Sequence, residues 1–253
     1  MAKMIILKSK EEVEKIAIAC RIVATALKAL KGYIKPGMTT KMLDTFAEEK
    51  ICEQGGIPAF KGYHRYPATL CVSVNEEVVH GIPSGKVIKE GDIVGLDLGA
   101  IYEGFYGDSA VTVPVGEVDE EILRLIKVTE GSLYAGIDQG IEGGRLSDIS
   151  HAVQSYVEKE GYSVVTDFVG HGIGRSLHEE PQIPNFGPKG QGPRLREGMV
   201  LAIEPMVNIG KHQVTVKEDG WTAVSSDGSL SAHFEHTIAI TKDGPVILSK
   251  IDD

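Results

Sequence analysis

Val13, Ile16, Ala17, Cys20, Val23, Leu27 and Leu30 recur at helical spacing and mark one buried helix face. Ser9-Lys-Glu-Glu12 ahead of them has the form of a capping box, and Lys35-Pro-Gly37 ends the run. A second helix is predicted from about Thr40, carrying Leu43, Ala47 and Ile51 and stopping near Gly55-Gly56. Residues 57–80 read as loop and short strands, among them Leu70-Cys-Val-Ser-Val74. Asp92–Leu98 and Ser109–Val115 are strand patterns, with Gly104-Phe-Tyr-Gly107 as the connecting turn. Helices follow over Glu120–Ile137 and from near Ser147, the latter with an N-cap residue. Strands are predicted around Val164–Val169, Met199–Ile203 and Phe234–Ile240, and Pro181–Pro193 reads as a surface loop.

The pattern repeats. Gly91 of Lys89-Glu-Gly91 stands six residues before Asp97, and Gly198 of Arg196-Glu-Gly198 stands six before Glu204. Val79-His80-Gly-Ile82 echoes Gly170-His171-Gly-Ile173. Asp108-Ser-Ala-Val-Thr-Val113 echoes Glu235-His-Thr-Ile-Ala-Ile240, and Gly37-Met-Thr-Thr echoes Gly144-Arg-Leu-Ser. Several matches in one order imply two halves packed about a pseudo-twofold axis. Two units are too few for a stacked solenoid, and no Pro-, Gly- or Ser-rich linker divides them. A single domain over 1–253 is expected.

Composition narrows the class. Hydrophobic residues make up 42% and charged residues 25%, ordinary for a globular chain. The net charge of −10 argues against a dedicated nucleic-acid surface. No run approaches the roughly 20 apolar residues of a membrane helix, nor is there a secretory leader, so a cytoplasmic location is expected. Cys20, Cys52 and Cys71 form no C-x-x-C pair and argue against a disulfide framework or a Cys-ligated zinc.

The repeat puts Asp97, Asp108, Glu204 and Glu235 at matching points, with His80 and His171. A surface charge is the ordinary reading of any one of them, but Asp97 interrupts Ile93-Val-Gly-Leu-Asp-Leu98 and Glu204 interrupts Val200-Leu-Ala-Ile-Glu-Pro205. A carboxylate inside an apolar strand must be paired, hydrogen-bonded or metal-bound. Four converging carboxylates stay ionised only around cations, and two divalent ions balance four charges. Oxygen donors with one imidazole suit manganese, iron(II) or cobalt, and zinc also fits. His178, in Leu177-His-Glu-Glu-Pro181, and His80 are candidates to hold substrate polar atoms. His64, His151, His212, His233 and His236 lack such a context, and most of them are taken as non-catalytic. Gly170-His-Gly-Ile-Gly174 is not a dinucleotide fingerprint, and neither a phosphate loop nor a G-x-S-x-G elbow occurs.

With these residues in place, the chain resembles the type I methionine aminopeptidases over nearly its whole length. The motifs are Val74-Asn-Glu-Glu-Val-Val-His-Gly-Ile-Pro83, Asp97 with Gly107-Asp108, Gly170-His-Gly-Ile-Gly174, Leu177-His-Glu-Glu-Pro181, Ala202-Ile-Glu-Pro-Met206 and Glu235-His-Thr237. The resemblance implies an α+β pita-bread fold, with helices packed on a curved, mainly antiparallel sheet. It implies a two-metal site held by Asp97, Asp108, His171, Glu204 and Glu235, with Asp108 and Glu235 bridging. His80 and His178 match the family's catalytic histidines, and Glu204 its general base for hydroxide attack. Tyr63, Tyr66, Cys71, Leu177 and Trp221 fall where the family lines its methionine pocket. Leu177 stands where Phe is common, and Phe60 where some members carry a smaller residue.

The implied function is removal of the initiator methionine from nascent polypeptides with a small second residue, by a monomer in transient contact with ribosomes. The absence of a zinc-binding extension and of a large helical insertion favours the short bacterial form. Two rivals share the fold. Proline-directed peptidases usually carry a further N-terminal domain, and non-catalytic homologues typically lose ligands.

Overall fold

The computed structural model describes residues 4–250. The chain's own start, Met1-Ala2, which reads as a substrate sequence, lies outside them. Its helices are α1 (Lys10–Tyr33), α2 (Thr40–Glu53), α3 (Glu120–Ile137) and α4 (Leu146–Lys159). The first-half strands are β1 (Ile57–Pro58), β2 (Leu70–Val74), β3 (Glu77–Val79), β4 (Ile93–Tyr102) and β5 (Phe105–Pro114). Then come β6 (Ser163–Val164), β7 (Val169–Gly172), β8 (Glu179–Pro184), β9 (Val200–Ile203) and β10 (Met206–Asn208). The last are β11 (Val214–Val216), β12 (Ala223–Ser225), β13 (Ser231–His233), β14 (Glu235–Thr241) and β15 (Gly244–Ile247).

The predicted cap of α1 forms. Ser9 Oγ accepts from the Glu12 N–H at 3.3 Å, and Glu12 Oε2 accepts from the Ser9 N–H at 2.9 Å. At α4 the N-cap is Arg145 rather than Ser147. The Asp148 carboxylate accepts from the Arg145 N–H, while Ser147 Oγ accepts from Gln191 in the neighbouring loop. Three further boundaries differ from expectation. β4 and β5 run on to a two-residue turn at Glu103-Gly104, both at positive φ (46° and 79°), as a tight hairpin requires. The predicted loop from Pro181 begins as strand, because Ile183 is buried opposite Gly170. The strand predicted over 164–169 is two short pieces, β6 and the start of β7, which pair with different partners.

The main sheet has the order β1-β4-β5-β14-β9-β7-β8, with β2 also on β4 and β15 on β14. Every described pairing is antiparallel. Its centre is the β5–β14 seam, where Ser109 pairs with His236. These two residues are counterparts in the repeat, so the pseudo-twofold passes between them. β4 and β9 flank the seam, and β2 and β7 flank those. The helix starts repeat too: Thr39 bridges Val87 ahead of α2, and Arg145 bridges Arg194 ahead of α4.

One correction concerns the histidines. Ser73 pairs with Gly95, two residues before Asp97, and His171 pairs with Ala202, two before Glu204. His171 is therefore the counterpart of Ser73, not of His80, which follows β3.

The period-two alternation of strands sorts the two faces. Val94, Leu96, Leu98 and Ala100 of β4 join Leu70, Val72 and Val74 of β2 in a core shared with α1 and α2. Leu201, Ile203, Ile238 and Ile240 form the matching core with Leu133 and Ile137 of α3 and Ile149 of α4. The helices thus cover one face, and the odd positions of β4 with the even positions of β5 point to the other. Helix α1 lies so close to β5 that a Cβ on Gly107 would sit 2.4 Å from the Cys20 nitrogen. The blocking atoms are backbone and cannot swing aside. Gly107→Ala is expected to cost about 1–3 kcal/mol, the usual range for overpacking. Thermal unfolding checks this, and an unchanged midpoint would show that the helix can retreat freely.

Candidate active site

Register brings the predicted residues together. Cys71 pairs with Asp97, Asp97 with Ala110, and Ala110 with Glu235, so these four side chains form one row across β2, β4, β5 and β14. Asp108, two positions before Ala110, shares that face. Ile203, the last residue of β9, pairs with His236, and Glu204 follows it beside Glu235. On the next strand His171 pairs with Ala202. Thr237 Oγ1 donates to the Asp108 carbonyl at 2.8 Å, and Ser109 Oγ donates to the Glu235 carbonyl at 2.7 Å. These crossed bonds lock the seam under the two central carboxylates.

Donor atoms of Asp108, His171 and Glu235 lie within 4.8 Å of one another, all buried. His171 Nε2 is 3.5 Å from Glu204 Oε1. The Gly172 carbonyl, 3.0 Å from His171 Nδ1, can only accept, so Nδ1 carries the proton and Nε2 presents its lone pair. Buried oxygens Asp97 Oδ1, Asp108 Oδ1 and Glu235 Oε1 have no hydrogen-bond partner. Burial raises the Asp97 carboxyl to about 7. Burial and the neighbouring carboxylates hold Asp108, Glu204 and Glu235 well above the usual range. Burial lowers His171 to about 3, with His178 adding to the shift, so its imidazole is neutral. Bare buried oxygens, clustered acids and a neutral imidazole suit divalent cations. The donor set fits such ions.

A cavity of about 240 Å³ opens on this row. All the expected pocket residues line it: Tyr63, Tyr66, Cys71, His80, Leu177, His178 and Trp221, together with Phe60. The Tyr66 hydroxyl donates to the Gly81 carbonyl at 2.9 Å, and its ring meets Trp221 edge-on at 5.0 Å. His80, at φ 60°, sits edge-on to Phe168 and Trp221. Burial lowers it to about 4, with His178 adding to the shift. His178 Nδ1 is 2.7 Å from the Tyr63 hydroxyl, and its ring centre is 4.4 Å from that of His171. Burial, then His64, lowers its pKa as well.

Two histidines set aside in the sequence belong here. His64 lines the cavity from a short turn at φ 44°. His233 is buried with Nε2 unpartnered, 4.0 Å from Glu204 Oε2. A signal for His233 existed, since it stands two residues before Glu235 in extended chain. His64 had none, because its place depends on the turn.

Asp97 provides a test. Its folded pKa of about 7 exceeds the usual carboxyl value of about 3.9. Between those values the folded chain binds more protons than the unfolded one, so this group's contribution to stability falls as pH rises. With a chelator present, Asp97→Asn should gain stability relative to the native chain as pH rises from about 4 to about 7. At pH 8 with manganese the order should reverse. Melting curves of both proteins check this, and a pH-independent difference without metal would contradict it.

Comparison with known proteins agrees with this geometry. Residues 14–242 match the metallopeptidase family M24. Methionine aminopeptidase 1 of Bacillus subtilis is 54% identical over 248 residues, covering 98% of this chain and 100% of that protein. The structure of methionine aminopeptidase from Thermotoga maritima superposes with a TM-score of 0.97 at 53% identity, covering 98% of this chain and 100% of that one. Prolidase from Pyrococcus furiosus superposes with a TM-score of 0.80 at 25% identity, covering 98% of this chain and 66% of the prolidase. The two-halved sheet with four helices is thus the pita-bread fold expected above. Over nearly its whole length, the chain belongs to the metallopeptidase family M24 as a methionine aminopeptidase, a metal-dependent hydrolase.

Proposed function

We propose that this aminopeptidase removes the initiator methionine from nascent polypeptides whose second residue is small, using two divalent ions. The observation that carries this reading is the row of Asp97, Asp108, His171, Glu204 and Glu235 opening onto a pocket lined by Tyr66, Cys71, Leu177 and Trp221. Manganese, iron(II) or cobalt suit the donor set best, and zinc also fits. When bound, such ions lower the pKa of water and polarise the scissile carbonyl. Asp97, Asp108, His171, Glu204 and Glu235 would hold them.

The chain's own groups would supply the rest. The apolar pocket takes the methionyl side chain. Glu204 receives a proton from the attacking water and delivers it to the leaving amine. With the Tyr63 hydroxyl donating to His178 Nδ1, the His178 proton would sit on Nε2, free to meet the developing oxyanion. His80, neutral for the reason given above, holds the peptide nitrogen beyond the scissile bond. A cramped space past the scissile bond would restrict the second residue to a small side chain. The reading places this activity in one domain over 1–253. It works in the cytoplasm as a monomer that meets ribosomes transiently. No described helix is long and apolar enough to cross a membrane.

Chelated enzyme resupplied with manganese, iron(II), cobalt or zinc in turn should release methionine from Met-Ala-Ser and leave Ala-Pro-Ser intact. Cleavage of Ala-Pro-Ser instead would move the protein to the proline-directed branch. Met-Leu-Ser should react more slowly, and equal rates would remove the small-residue preference. Glu204→Gln should lower kcat by about 10²–10⁴-fold, as loss of a general base does. His80→Ala should lower turnover with metal content unchanged, and loss of metal would count against its role.

A further inference from the structure

Leu177 and His178 stand on the short loop between β7 and β8, which holds no regular structure of its own. The N-terminal arm reaches this loop. Lys8 is 8% exposed, rare for a lysine. Its Nζ donates to Glu179 Oε2 at 2.7 Å and to the Ile6 carbonyl at 3.0 Å. Glu179 directly follows His178. Its other oxygen, Oε1, accepts from the N–H groups of Arg175 (2.8 Å) and Ser176 (3.1 Å). One carboxylate therefore closes the loop, and one ammonium holds that carboxylate.

The arm itself is fixed. The Lys8 N–H donates to the Gly198 carbonyl at 2.7 Å, just ahead of the strand that leads to Glu204. A Cβ on Gly198 would meet the Lys8 carbonyl oxygen at 2.7 Å, and one on Gly174 would meet Lys8 Cε at 2.5 Å. On the outer side Arg175 donates to Glu12 at 3.0 Å, with its guanidinium 4.5 Å from the Phe105 ring. A buried ion pair is a weak source of stability, because desolvation offsets its attraction. Its directional bonds do fix geometry.

We propose that Lys8 is a positioning residue, which through Glu179 holds the 174–179 loop so that His178 faces the carboxylate row. The N-terminal arm is then part of the catalytic apparatus. This inference rests on the reading of His178 as the group that meets the oxyanion.

A double-mutant cycle tests it with Met-Ala-Ser as substrate and metal content measured throughout. Lys8→Met should lower kcat by about tenfold or more, as displaced catalytic groups do, with KM changed far less. Lys8→Arg should restore much of the loss. If Lys8 acts through His178, the double variant Lys8→Met/His178→Ala should be no slower than His178→Ala alone. Multiplying losses would overturn the proposal, since they would mean that Lys8 supports the enzyme generally. A slow His178→Ala beside an unaffected Lys8→Met would overturn the tether alone. An unaffected His178→Ala would overturn the reading of His178 and the tether with it. Should Lys8→Met not fold, Glu179→Gln carries the same cycle with its Oε1 bonds retained.

Discussion

Four carboxylates on one buried face of a sheet are the constraint around which this molecule is arranged. Left alone, burial pushes Asp97, Asp108, Glu204 and Glu235 above the ordinary carboxyl range, and repulsion from neighbouring carboxylates pushes the last three further. The fold answers with strand alternation. Two helix pairs pack on the other face and supply the apolar cores, so the acidic face need contribute little to stability. The cores also keep the strands rigid, and rigid strands hold the donor atoms of Asp108, His171 and Glu235 within 4.8 Å of one another. Cations that satisfied this charge would join parts of the chain far apart in sequence.

Much of this was legible in the sequence because strands and helices have fixed periods. Asp97 and Glu204 stood out by breaking apolar runs, and the repeat showed that the breaks were not accidents. The capping box at Ser9 and the span of α3 follow from local rules that tertiary packing did not override. Failures occurred where local rules end. Ser147 has the chemistry of an N-cap but serves the neighbouring loop instead. Glu103-Gly104 makes a tighter turn than the glycines around it implied. His80 and His171 share a motif and not a place, because similar letters do not fix register. His64 and His233 reach the site through a turn and through a strand spacing that carries no distinctive composition.

The pocket and the carboxylate row depend on each other. Cys71 belongs to both, since it pairs with Asp97 and lines the cavity. Burial and the adjacent Asp97 hold its thiol well above the usual value, so it stays protonated and serves as an apolar wall. Tyr66, bonded to the Gly81 carbonyl, ties β2 to the segment that carries His80. One wall of the pocket is therefore bonded directly to the residue beside His80. Arg65, next to Tyr66, stands at φ 73°, a backbone strain of the kind that gathers at binding sites.

The seam between β5 and β14 has a consequence for the timing of assembly. Glu235 comes from a late strand that pairs with both β5 and β9, so its carboxylate joins the others only after most of the chain has been made. Neither half holds the full set of carboxylates. Such non-local pairing slows folding. A ribosome still elongating this polypeptide therefore carries an enzyme that is not yet assembled.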